Sequence, residues 1–133
     1  MTPDQEITAR ACLEAAETGS LDFPQIVGTL IAAGFESYTV DFRCARNTYY
    51  LPDGDSLDLS GHAPEAPVAA EFDAGAMQAA IREAQTKAPG YTYPGFCEKA
   101  AHAGCAGYIV SFIGRRAVYV GRTGETHVEH FPN

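Results

Sequence analysis

The chain has 133 residues, of which 46% are apolar and 20% charged, and its net charge is −8. That is one domain's length with an ordinary soluble composition. The negative balance argues against nucleic acid and anionic membranes as partners, because both call for a basic surface. No apolar run is long enough to span a bilayer.

The N-terminus, MTPDQEITAR, carries acidic residues where an export signal has basic and apolar ones, so a cytoplasmic protein is expected. Its four cysteines, Cys12, Cys44, Cys97 and Cys105, are then expected as buried free thiols packing like small hydrophobes. Thr2-Pro3-Asp4-Gln5 has the form of an N-cap, a first-turn proline and a capping-box glutamine. It predicts a first helix running to about Thr18 and stopping near Gly19. Asp22 caps a second helix with Pro24 in its first turn. Phe23, Ile26, Val27 and Leu30 form its apolar stripe, and Gly34 stands where a left-handed residue ends a helix.

A strand follows, with Tyr38, Val40 and Phe42 on one face. A tight turn near Cys44–Asn47 leads into a second strand, Thr48–Leu51. Pro52-Asp53-Gly54-Asp55 reads as a further turn before a third strand at Leu57–Leu59. GHAPEAPV, residues 61–68, is a semi-extended connector with two prolines.

The pattern then recurs. An offset of 70 aligns the halves without a gap from Phe23/Tyr93 to Ser56/Thr126. Nine of those 34 positions are identical, against about two expected by chance from average residue usage. Asp73 caps a third helix with Met77, Ala80, Ile81 and Ala84 as its stripe. Thr92 and Pro94 open a fourth, with Tyr93, Phe96, Cys97 and Ala100 inward and Gly104 at its end. Tyr108, Val110 and Phe112 repeat the first strand. Ala117–Gly121 and Thr126–His130 complete the second set. The expectation is an α+β fold built as a tandem duplication of an α-α-β-β-β unit. It forms a single domain of two pseudo-repeats, 1–60 and 69–133, with antiparallel meanders packed by about four helices.

The halves differ on the strand face opposite the tyrosines. The first has Thr39, Asp41 and Arg43, a wet surface. The second has Ile109, Ser111 and Ile113, continued by Val118 and Val120. An antiparallel sheet can leave one face in water, but an apolar face calls for a cover. Either a helix or another subunit serves, and a homodimer is the natural second case.

Chemistry is thinner. Arg46 with Tyr49, and Arg116 with Tyr119, recur at the same spacing. Two guanidiniums could hold a carboxylate or phosphate between the repeats. The plainer reading is a surface arginine over a tyrosine ring or paired with Asp53, Asp55 or Glu125. In THVEHF, His127 and Glu129 share one strand face and His130 takes the other, poor spacing for two ligands on one metal. Cys97, His102 and Cys105 read as packing and surface residues rather than as a nucleophilic pair. No reaction-specific motif occurs.

LDFPQIVGTLIAAGFESYTVDF, YTYPGFCEKAAHAGCAGYIVSF and RRAVYVGRTGETHVEHF together resemble the YbcV-like bacterial group, often labelled "phage envelope protein". The resemblance implies a small bacterial cytoplasmic protein, sometimes prophage-associated, with no established activity and no assigned functional residues. The resulting expectation is a non-enzymatic binding or protein-interaction module, homodimeric, without a cofactor or metal. The alternative is a small enzyme or sensor for an anionic metabolite at the seam, with Arg46, Tyr49, Arg116 and Tyr119 binding and His127 as acid or base.

Overall fold

The computed structural model describes residues 1–132. Its elements are α1 (Pro3–Thr18), α2 (Phe23–Ala32), β1 (Ser37–Asp41), β2 (Arg46–Tyr50), β3 (Ser56–Ser60), α3 (Ala74–Thr86), α4 (Tyr93–His102), β4 (Cys105–Ser111), β5 (Arg116–Gly121) and β6 (Thr126–His130). The fold is α+β, and the helix-helix-strand pattern occurs twice. No helix among the described residues is long and apolar enough to cross a membrane.

Local chemistry sets the helix starts. Thr2 and Asp22 accept bonds from the amides of Gln5 and Gln25, whose side chains bond back, so α1 and α2 each carry a full capping box. Asp73 and Thr92 cap α3 and α4 in the same way from the cap side alone. Each such cap is worth about 1 kcal/mol.

The six strands form one antiparallel sheet in the order β3-β2-β1-β4-β5-β6. Each half is a meander, and β1 pairs with β4 at the junction. In that pairing Thr39 faces Ile109, Tyr38 faces Val110 and Val40 faces Tyr108. Thr39 and Ile109 are partners under the offset of 70, so a pseudo-two-fold axis passes between them.

All inward side chains of the central strands meet the helices. Tyr38, Val40, Tyr108 and Val110 are buried, as are Phe42 and Phe112 in the turns that follow. Four tyrosines form a zigzag across the sheet. Ring centroids are 5.5 Å apart for Tyr49 and Tyr38, 6.4 Å for Tyr38 and Tyr108, and 5.1 Å for Tyr108 and Tyr119. Leu30, Met77 and Val110 are fully enclosed above and around them. Each large apolar side chain so buried stabilises by about 1.5–3 kcal/mol. The polar ends are satisfied: the Tyr93 and Tyr108 hydroxyls lie 2.7 Å apart.

The first helices of the halves match at an offset of 68, not 70. Ala9, Cys12 and Leu13 of α1 take the inward places that Met77, Ala80 and Ile81 take in α3. The cause is the loop: residues 19–22 join α1 to α2, but 87–92 join α3 to α4. Gly19 and Lys87, also 68 apart, both end their helices with positive φ.

Strand bounds move slightly from expectation. β2 begins at Arg46, β5 at Arg116, and β3 reaches one residue further at each end than Leu57–Leu59. Asp41 and Ser111 close the turns after β1 and β4: Asp41 accepts from the amides of Arg43 and Cys44, and Ser111 from that of Gly114. The turns end on Ala45 and Arg115, both with positive φ, at 55° and 52°.

Two predictions follow from this backbone. Ala45→Gly should raise stability by roughly 0.5–1 kcal/mol, since the left-handed strain exceeds the entropy that glycine adds to the unfolded chain; equal or lower stability in urea would contradict it. At the β1–β4 junction, a Cβ on Gly107 would stand 2.3 Å from the Val40 carbonyl oxygen. Gly107→Ala should therefore cost about 2–3 kcal/mol by the same measurement.

Candidate functional site

Strand alternation divides the sheet into an inward, helix-covered face and an outward face. Pairing registers set out the outward face as three rows. The middle row runs Asp58, Thr48, Thr39, Ile109, Val118, Val128. On one side lies Ser56, Tyr50, Ser37, Ser111, Arg116, His130, and on the other Ser60, Arg46, Asp41, Gly107, Val120, Thr126.

No helix covers this face. Ile109 is 44% exposed and Val128 39%, and Ile113 in the adjoining turn is 78% exposed. Val118 and Val120 are half-buried. The outward positions of β4–β6 include no Asp or Glu, in a chain with 17 of them. The first half's outward positions carry Asp41, Asp58 and Arg46 among serines, threonines and Tyr50. A helical cover, one of the two options open from the sequence, is thus absent from the described residues.

The residues expected at the seam are not brought together. Arg46 and Arg116 open β2 and β5 and point outward, where both are exposed. Three strand spacings, about 14 Å, separate them across the sheet, and a further two rows, about 13 Å, along it. Tyr49 and Tyr119 point inward and are 3% and 8% exposed. The sheet itself stands between each arginine and its tyrosine, because residues three apart in a strand face opposite ways. Arg46 Nε lies 3.9 Å from an Asp58 carboxylate oxygen, and Arg116 Nε donates to the Gly114 carbonyl at 3.1 Å.

His127 is inward and half-buried on the edge strand. Its Nε2 is 3.3 Å from Glu129 Oε2, and Gln85 of α3 donates to the other Glu129 oxygen at 2.9 Å. Its ring lies 6.4 Å from that of Tyr119. The equivalent positions in β3 are Leu57 and Leu59, so the second half places a polar pair where the first has leucines.

Burial pushes the Cys97 thiol up to about 12 and Cys105 to about 11. Both stay protonated near neutrality, which removes the thiolate that a nucleophile needs. Cys12 is buried as well, but Cys44 is exposed. It lies in the β1–β2 turn, outside both faces of the core, which corrects the expectation of four buried thiols. Among the described residues, no group of three or more His, Cys, Asp or Glu is placed to hold a metal.

Other polar features carry little sequence signal. His62, in the connector, reaches Glu98 of α4 at 2.6 Å and lies 4.0 Å from Glu17 of α1. The Glu65 amide donates to the same Glu98 carboxylate. Asn47 is buried on the inward face, with Gly61 leaving room for its side chain. A shallow depression of about 420 Å³ between α3 and α4 is floored by Ala76, Ala79 and Ala80 and rimmed by Glu83, Lys99 and His102. It gathers none of the expected site residues.

The fold and this surface together define a small α+β sheet protein that is helix-covered on one face and bare on the other. Residues 10–129 match the family described as "Protein of unknown function (DUF1398)", and the chain belongs to that family. No curated protein matches it.

The connector clasp gives a pH prediction. The hydrogen bond from His62, then that from the Glu65 amide, holds the Glu98 carboxyl below its ordinary value. A lowered folded-state value stabilises above the unfolded value, and that contribution is lost as pH falls through the folded one. Glu98→Gln should therefore make the loss of stability between about pH 5 and 3 shallower. Urea midpoints across that range measure it, and an unchanged slope would exclude the clasp as a contributor.

Proposed function

We propose that the chain is a non-enzymatic protein-interaction module, and that the outward face of β4–β6 is its contact surface. One observation carries the reading: Ile109, Val118 and Val128 form an apolar row with no carboxylate beside it, on a face with no helical cover. Depletion of charge at the centre of a contact surface is the compositional mark of an interface core. A contiguous apolar patch of this kind on a soluble protein marks a site of contact with something else. Free, buried Cys12, Cys97 and Cys105 suit a reducing compartment, so we place the module in the cytoplasm.

The first half supplies the test. Its residues at the positions of Ile109 and Val118 are Thr39 and Thr48. The double variant Ile109→Thr, Val118→Thr keeps β-branched side chains and removes the apolar row. Folding stability should stay within about 1 kcal/mol of the parent, while binding of an apolar fluorescent dye to the native protein falls sharply. A loss of several kcal/mol would assign the row to the fold's own core and overturn the reading.

A further inference from the structure

We infer that β3, the free strand at one end of the sheet, takes an extended basic segment of another protein as an added antiparallel strand, with an aliphatic side chain of that segment seated between α1 and Leu59. The inference does not rest on the contact surface above, since it concerns a different part of the fold.

Backbone geometry opens the edge. β3 pairs with β2 alone. Two bonds bracket that pairing, from the Leu51 amide to the Asp55 carbonyl and from the Gly61 amide to the Ala45 carbonyl. Antiparallel partners alternate between bonded and unbonded pairs, so Leu57 and Leu59 turn their amides and carbonyls to β2. Those of Ser56, Asp58 and Ser60 turn the other way. The Asp55 side chain takes the Ser56 amide. Among the described residues no group bonds the amide of Asp58 or of Ser60. Such a row is a template for a further strand, and main-chain bonds to it supply affinity when a peptide is added.

The side chains beside that row make a place for the occupant's own. A strand laid on β3 turns every second residue inward, level with Leu57 and Leu59. There a depression of about 340 Å³ lies between α1 and β3, lined by Arg10, Leu13, Glu14, Leu59 and Ser60. Its two leucines give it apolar walls, while Arg10 and Glu14 are exposed. An aliphatic residue of the added strand fits this place. The opposite edge differs. By the same alternation β6 turns the Val128 and His130 amides to its free side, but its inward positions hold His127 and Glu129, with Glu129 bonded to Gln85. An inward residue added there meets a polar pair in place of two leucines.

Charge selects the occupant. α1, which walls the depression, carries Asp4, Glu6, Glu14 and Glu17 against Arg10 alone. Asp58 stands on the outward side of β3, where a lysine or arginine of the added strand would lie directly opposite it. The whole chain is at −8. A segment with basic residues at its outward positions is drawn to this edge, whereas a second copy of the chain brings like charge to like.

The probe is a blocked five-residue peptide of alternating lysine and valine, beginning and ending on lysine. It is added to the full chain up to millimolar concentration, with amide hydrogen exchange read by NMR. The Asp58 and Ser60 amides should be protected at least tenfold, and those of Val128 and His130 should not change. N-methylation at the central lysine, whose amide an antiparallel partner turns toward β3, should abolish the protection; N-methylation at a valine should spare it. Glutamate in place of lysine should weaken binding at least tenfold. Absence of protection at Asp58 and Ser60, equal protection on β6, or indifference to the site of methylation overturns the inference. An equally effective glutamate peptide overturns the basic occupant. Protection that rises with protein concentration in the absence of peptide gives the edge to a second copy and overturns it too.

Discussion

The antiparallel pairing of β1 with β4 is the constraint on which the other contacts rest. It joins two three-stranded meanders, each too small to close a core by itself, into one sheet with a continuous inward face. Its register, with Thr39 opposite Ile109, brings Tyr38 and Tyr108 within aromatic contact and so links Tyr49 to Tyr119 through four rings. At Gly107 a Cβ would stand 2.3 Å from the Val40 carbonyl oxygen, so the pairing needs a glycine there. A shift of one residue there would turn every inward side chain of one half outward. The core would then lose the tyrosine zigzag and the outward face would gain it.

The same register sorts the positions at which the halves agree from those at which they differ. Inward positions near the axis are shared: tyrosine, valine and the turn phenylalanine recur in both. Outward positions carry no such obligation, and there threonine and aspartate give way to isoleucine and serine. The inward places of the edge strands also diverge, leucines in β3 and a histidine–glutamate pair in β6. Packing therefore accounts for what the halves share at the centre of the sheet.

Much of this was legible in the sequence because it is local. Thr2, Asp22, Asp73 and Thr92 announce helix starts through side chain and spacing alone, and the Tyr-x-Val-x-Phe alternation announces an inward face. What escaped depends on distance along the chain or on a single residue of boundary. Arg46 and Tyr49 look like neighbours if the turn reaches residue 46, but they part to opposite faces once β2 begins there. Cys44 reads as apolar until its turn lifts it clear of the sheet. The slip from 70 to 68 in the first helices follows from the longer loop between α3 and α4. The docking of 68–73 across the end of α4 needs Ala69 and Asp73 to donate to the carbonyls of Ala101 and Ala103. It also needs Gly104 and Gly121 to leave space for the backbone of Glu71 and the ring of Phe72. None of those partners is near in sequence. The outward row of Ile109 and Val118 was visible as an oddity, but only the placement of all four helices on the other face made it a surface.

The half-buried His127 and Glu129 have a consequence for how the sheet can grow. They sit inward on β6, an edge strand whose outer backbone groups have no strand beside them. A new strand added there would extend the helix-covered face past this polar pair, whose Glu129 is held by Gln85, and its own inward side chains would have to be accommodated alongside it. Inward charge on an edge strand is a recognised obstacle to edge-to-edge addition. Copies of this chain are thereby discouraged from lengthening the sheet into an open-ended ribbon.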